Sequence, residues 1–241
     1  AGKGQRGKTW SAAKDSSLIL SIVIDPGPLL VNQQFQLSAS VAVSVCEFFS
    51  KYAGDLTRIK WPNDLYWQDR KAGGVLIENI IGARNPKVMG SEPNSHRVRS
   101  QHNEIQKVDT PVSSQWLWAI IGIGINITQQ VFPAELINPV SLKQLTGKDF
   151  SPVEMAKELC ILLDTKYNDL IRSEFDTIYS SYLSLLYKKD EQVKLKKGSR
   201  VFEATIKSVS PEGKLIVQHA IEEEFDFGEI EWVIPAAQPR K

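Results

Sequence analysis

Lys60-Trp61-Pro62-Asn63-Asp64-Leu65, followed shortly by Lys71-Ala72-Gly73-Gly74-Val75-Leu76-Ile77-Glu78, is the stretch around which the rest of the chain is organised. It holds lysines, a carboxamide, a carboxylate and a glycine pair that runs into an apolar segment. Pro62 has no backbone N–H, fixes its own φ and biases Trp61 toward extended backbone, so a strand predicted over 57–61 stops here. Asn63 and Asp64 then sit at a strand end, where their side chains serve either local turn bonding or a site. Gly73-Gly74 opens a run that reads as a buried strand over 74–80, and glycine at such a place marks close backbone approach, commonly by a ligand. Lys71 stands just ahead of that strand. It is either a solvated strand-end lysine or a fixed positive charge for a carboxylate or phosphate.

The 241 residues, 42% hydrophobic with a net charge of +1, describe a soluble globular chain with one large core and room for a small second domain. The charge balance gives no bias toward nucleic acid. Cys46 and Cys160 both fall in apolar helical patterns, which argues against a disulfide scaffold or a cysteine zinc site and fits a reducing, cytoplasmic setting. No apolar run approaches the roughly 20 residues that span a bilayer. The chain opens on Ala1 rather than Met, so the natural protein is expected to extend further upstream.

Gly2-Lys3-Gly4-Gln5-Arg6-Gly7-Lys8-Thr9-Trp10 contains G-x-G-x-x-G. The dinucleotide fingerprint must run into a helix, whereas this one leads through a polar stretch to a strand predicted over 18–24. What survives is an anion-cradling loop, with glycines that let backbone approach and Lys3, Arg6 and Lys8 to neutralise charge. Trp10 either lies over a bound ligand or caps the core.

Asp25-Pro26-Gly27-Pro28 reads as a turn, and 35–49 carries Leu37, Val41, Val45 and Phe48 at helical spacing. The polar, irregular segment 83–114 reads as a long loop. Its His96 and His102 lack acidic or cysteine companions at ligand spacing and read as solvated, not metal-binding. The apolar run 116–127 is a central strand ending in Asn126, with Gly122 and Gly124 marking either bulges or a site. Ser151-Pro152-Val153-Glu154 is a capping box with proline at the first helical position, followed by Val153, Ala156, Cys160, Leu163, Tyr167 and Leu170 at helical spacing. A second helical pattern covers 175–186. Beyond Lys188 short β segments are predicted at 192–195, 200–208, 214–218, 223–227 and 229–233, a small barrel.

The basic glycine loop, the Lys60–Asp64 block with Lys71 and Gly73–Glu78, and Gly122-Ile123-Gly124-Ile125-Asn126 resemble, in order and spacing, the three signature blocks of the biotin–protein ligases. The resemblance implies an α+β fold. A mixed β-sheet with packed helices forms a class II synthetase-like catalytic domain over 1–188, whose N-terminal part is expected to be missing here. A small SH3-like β-barrel and tail follow over 189–241. It implies ATP-dependent activation of biotin as biotinyl-5'-AMP and transfer to a lysine of the biotin carboxyl carrier domain of a carboxylase, with Mg²⁺ on the ATP phosphates and no protein metal site. By the same resemblance, Lys71, Lys3, Arg6 and Asp64 are catalytic. Gly2, Lys3, Gly4, Gln5, Lys71, Gly74, Val75 and Gly122 bind biotin, and Lys8, Trp10, Asn63, Asp64 and Asn126 serve the nucleotide. No nucleic-acid or membrane partner is expected, and a homodimer is among the assemblies allowed.

The sequence departs from the family pattern in several places. Lys3 and Gln5 stand where the family's glycine loop commonly has arginines, the upstream Ser-Thr-Asn stretch and any DNA-binding domain are not in this chain, and the 83–114 loop is long. A lipoate- or octanoate-transferring relative of the same fold and a non-catalytic binding module are the alternative readings. Biotin-dependent against lipoate-dependent pyrophosphate release separates them.

Overall fold

The computed structural model describes residues 2–4, 7, 9–10, 12–82 and 115–234, with Lys3 and Thr9 described by backbone alone. The elements run β1 (Gly2–Lys3), β2 (Thr9–Trp10), β3 (Ser17–Ile24), α1 (Gln34–Ala53), β4 (Thr57–Lys60), β5 (Asp64–Trp67), β6 (Arg70–Gly82) and β7 (Gln115–Asn126). They continue as α2 (Leu142–Thr146), α3 (Pro152–Ile171), α4 (Phe175–Ser184), β8 (Gln192–Lys197), β9 (Arg200–Val209), β10 (Leu215–Gln218), β11 (Glu222–Phe225) and β12 (Glu231–Trp232). The larger sheet has the order β3-β7-β6-β5-β4 and the C-terminal sheet β11-β10-β9-β8-β12. The ladders are antiparallel. Among the described residues parallel pairing is confined to isolated bridges at Ile59–Leu186, Lys71–Pro139 and Lys189–Ile206. The expected α+β class holds, and the C-terminal sheet fits an SH3-like fold.

Two adjacent rows of residues cross the larger sheet and show how its faces divide. In one, Ile59, Leu65, Gly73, Ile125 and Leu18 are cross-strand partners, and in the next Lys60, Asp64, Gly74, Gly124 and Ile19. Side chains alternate faces along a strand, so the first row turns to the helices and the second to the opposite, open face. The helix side is packed by α1, where Leu37, Val41, Val45, Phe48 and Phe49 are all buried. Gly54, at φ 79°, ends α1 with its N–H on the Ser50 carbonyl, the conformation glycine adopts without strain. Burial pushes the Cys46 thiol on this helix up to about 12, so it serves as a packing residue.

Helix α3 starts with Ser151 Oγ accepting from the Glu154 N–H and Pro152 in the first turn, the forward half of the expected capping box. Its inward stripe, however, is Met155, Leu159, Leu163 and Leu170. Val153 is 65% exposed and Cys160 is also exposed, which corrects the expectation that both face the core. β5 and α2 were not foreseen as elements. The β5–β6 hairpin closes through Gln68 at φ 50° and Asp69, not through an Asn-Gly or Asp-Gly pair. Among the described residues no helix is long and apolar enough to cross a membrane.

The C-terminal sheet buries Leu195, Ala204, Ile206, Val209, Leu215, Val217 and Phe225. It is joined to the larger sheet through α4 and the segment after it. The Tyr187 hydroxyl donates to Asp69 Oδ1 at 2.7 Å, and the Ile59 N–H donates to the Leu185 carbonyl at 2.8 Å.

Candidate active site

Lys71 lies inside β6, not ahead of it. Asp64 pairs with Gly74 and Leu65 with Gly73, but Tyr66 pairs with Lys71, leaving Ala72 as an extra residue. This is a β-bulge. In an unbroken strand Lys71 would share the core-facing parity of Gly73 and Val75; the bulge turns it to the open face beside Gly74. There its Nζ lies 2.7 Å from Asp64 Oδ1, with the side chains 35% and 25% exposed.

The glycines around this pair have different reasons to be glycine. A Cβ on Gly74 would stand 2.9 Å from Asp64 Oδ1 and 3.6 Å from Lys71 Nζ, so Gly74 makes room for the ion pair. On Gly73 it would meet the Gly124 carbonyl oxygen at 2.6 Å, a close approach of two backbones. On Gly124 it would meet Trp10 Cε2 at 2.8 Å, because the indole lies against that residue. On Gly122 it would find only the Leu76 carbonyl at 3.6 Å and Leu76 Cβ at 4.0 Å, ordinary contacts. Gly74, Gly122 and Gly124 form a continuous patch on the open face, next to Lys71 and Asp64.

Gly2 pairs with Trp10 across the short β1–β2 hairpin, which sets the indole over this patch. The Trp10 N–H is shielded from solvent and finds no hydrogen-bond partner among the described residues. Gly4 is half-buried in the segment after β1. Of the other loop residues expected at the site, Gln5, Arg6, Lys8 and the side chain of Lys3 lie outside the described residues.

Val75 differs from expectation. Its side chain is 4% exposed and belongs to the core on the helix side, the face opposite Gly74, while its N–H donates to the Asn63 carbonyl at 3.2 Å. Asn63 is buried in the β4–β5 turn. Asn126 is buried at the end of β7, and its amide nitrogen donates to the Val140 carbonyl at 3.1 Å. The structure thus brings Lys71, Asp64, Gly74, Gly122 and Trp10 to one face and puts Asn63 and Asn126 at its margins.

Sequence reasoning missed the brace behind Lys71. The Lys71 N–H donates to the Asn138 carbonyl at 2.8 Å, and its carbonyl accepts from Val140 at 2.9 Å. Arg70 reaches the Pro139 carbonyl at 2.6 Å and Gln144 Oε1 at 3.1 Å. Asn138 and Pro139 mark a turn in the sequence, but nothing there says which strand it lies against. Tyr66, on β5 beside Lys71, is held as the neutral phenol, its pKa raised by burial and then by Asp64 and Asp69.

Residues 1–92 match the Biotin/lipoate A/B protein ligase family. The bifunctional ligase/repressor BirA of Escherichia coli K12 is 31% identical over 141 residues, covering 57% of this chain and 40% of that protein. BirA of Bacillus subtilis 168 is 29% identical over 182 residues, covering 74% of this chain and 46% of that protein. The chain spans less than half the length of these curated relatives. The solved structure of the biotin protein ligase from Aquifex aeolicus in complex with biotin and ATP aligns with a TM-score of 0.71 over 97% of this chain and 84% of that one, at 22% identity. At that identity the likeness establishes the fold.

Proposed function

We propose, from the match of residues 1–92 to the Biotin/lipoate A/B protein ligase family and the likeness to BirA, that the chain is a biotin–protein ligase that activates biotin with ATP and transfers it to a lysine of a biotin carboxyl carrier domain. The observation that carries the reading is the Lys71–Asp64 pair at 2.7 Å beside a glycine patch that leaves the sheet's open face bare at Gly122. In the first step a biotin carboxylate oxygen attacks the α-phosphorus of ATP, the α–β phosphoanhydride breaks, and pyrophosphate leaves. Two anions must meet, so a fixed cation is needed where charge gathers. An ammonium carries three N–H donors, so Lys71 can keep Asp64 and still offer donors to the carboxylate and the α-phosphate. Asp64 and the bulge hold that ammonium in place. Gly2, Gly4, Gly74 and Gly122 let biotin approach backbone, and Trp10, Asn63, Asp64 and Asn126 serve the nucleotide. Lys3, Gln5, Arg6 and Lys8 add the charge and contacts of the loop.

In the second step the acceptor lysine's neutral amine attacks the acyl carbon of the mixed anhydride and AMP leaves, with Asp64 placed to take the amine's proton. Among the described residues no three His, Cys, Asp or Glu side chains gather to hold a metal. By the resemblance, magnesium enters this reading as part of the ATP substrate, which suits an ion that keeps its waters and phosphate ligands.

The proposal includes a catalytic unit over 1–188, a C-terminal SH3-like unit over 189–241, a cytoplasmic setting and a carrier domain docking along exposed strand edges. Pyrophosphate release that depends on biotin tests it. Release with lipoate and not with biotin would overturn the substrate, and release with neither would overturn the activity.

A further inference from the structure

The turn that delivers Asp64 to Lys71 is held from outside at every residue. Trp61 is buried, and its indole N–H donates to the carbonyl of Gly213, in the turn before β10, at 2.9 Å. The Pro62 carbonyl accepts from the hydroxyl of Tyr182 on α4 at 2.8 Å. The Asn63 carbonyl accepts from Val75 on β6. Asp64 follows directly, so its carboxylate position is inherited from these three grips.

The grip on Trp61 comes from the C-terminal sheet and has a built shape. Gly213 has φ +96°, a conformation other residues rarely adopt, and a Cβ there would strike the Phe35 ring at 2.6 Å. Phe35 in turn meets Tyr182 edge-on at 5.4 Å, so the grips on Trp61 and Pro62 share one support. Ser210 organises the turn: its Oγ accepts from the Glu212 and Lys214 N–H groups at 3.3 Å and donates to Glu212 Oε2 at 2.9 Å. The same sheet brings Phe227 edge-on to Trp61 at 6.0 Å. It also brings Trp232 to the Lys60 ammonium, 5.3 Å from the ring centre.

We propose that the turn 210–214 of the C-terminal sheet positions the adenylation site, with Gly213 and Trp61 as its positioning residues. By holding the indole, the turn sets where the β4–β5 connection places Asp64 against Lys71. The inference rests on the adenylating activity proposed above and adds a role for the C-terminal sheet in the first half-reaction, apart from any in carrier docking.

Trp61→Phe keeps a ring and removes the N–H; Ser210→Ala loosens the turn without touching Trp61. In the intact protein, each is expected to slow biotin-dependent pyrophosphate release by roughly tenfold or more, since small misplacements of a catalytic group are costly. The loss should fall equally on kcat and kcat/KM, the mark of an interaction used in the transition state. The double variant should be no slower than the slower single one, because both act through one contact. An active wild type whose Trp61→Phe variant keeps its kcat, or differs only in unfolding temperature, overturns the inference while leaving the activity intact. Additive losses in the double variant also overturn it. A wild type that releases no pyrophosphate with biotin overturns the functional reading itself.

Discussion

Lys71 Nζ reaches Asp64 Oδ1 at 2.7 Å only because Ala72 is an extra residue in β6. One added residue converts a position of core parity into one that faces the open side of the sheet. The charge is thereby fixed by backbone register and by the brace from Asn138 and Val140, not by the side chain's own preference.

Replacing Lys71 by Gln keeps much of the stem and removes the charge. Losing one such electrostatic contact costs on the order of 3 kcal/mol, or roughly a hundredfold in adenylation rate. Stability should change by about 1 kcal/mol at most, since the pair is partly solvated and Asp64 stays accessible to water. Single-turnover formation of biotinyl-adenylate checks the rate. A Lys71→Gln protein that forms it at the normal rate would refute the assignment.

Much of this was legible in the sequence. The apolar runs over 18–24, 74–80 and 116–127 and the helical spacing in 35–49 correspond to β3, β6, β7 and α1, and the glycines of β6 and β7 marked where a ligand or backbone comes close. The bulge at Ala72 was not legible, because nothing in Lys-Ala-Gly-Gly says which residue is unpaired, and so Lys71 seemed to precede the strand. Nor was the grip of Gly213 on Trp61, which joins residues 152 positions apart. Trp61 read locally as the residue before a proline, while its indole N–H is spent on tertiary structure.

Asp69 ties the β5–β6 turn to the segment after α4. The Tyr187 hydroxyl first, and the Lys188 ammonium against a burial effect, hold its pKa below the ordinary 3.8. A carboxylate depressed in the folded state stabilises above its unfolded pKa and loses that contribution as pH falls through the folded value. Asp69→Asn should therefore lower the melting temperature slightly at about pH 7, and the gap should close as pH falls below the ordinary 3.8. The side chain is 61% exposed, so the effect at neutral pH should stay below about 1 kcal/mol. A gap that widens on acidification would contradict this account.

Trp10 and Gly124 offer a test of the loop's role. A methyl on Gly124 would stand 2.8 Å from Cε2 and 3.1 Å from Nε1 of the indole. The ring is carried by a hairpin of two-residue strands, so the hairpin should yield before the five-stranded sheet does. Gly124→Ala is expected to weaken ATP binding about tenfold or more, by moving an aromatic wall worth roughly 1–3 kcal/mol to a stacked base. Its unfolding should be close to wild type. Calorimetric titration with a non-hydrolysable ATP analogue decides it, and unchanged affinity would remove Trp10 from the nucleotide site.

Gly73 and Gly122 separate glycine kept for the fold from glycine kept for a ligand. At Gly73 a Cβ would meet a backbone oxygen at 2.6 Å, with the Leu65 side chain at 3.3 Å and the Ile125 backbone at 3.4 Å. Neither backbone can swing aside, so Gly73→Ala should destabilise by about 1–3 kcal/mol, the range for overpacking a filled core. At Gly122 the nearest atom is at 3.6 Å, and the fold should accept alanine within about 0.5 kcal/mol. If biotin lies against this patch, the same methyl occupies its space, and Gly122→Ala should raise the KM for biotin well beyond tenfold while the melting curve stays in place. Equal stability with an unchanged KM would move biotin off Gly122, because no protein atom in the described structure gives that position another reason to lack a side chain.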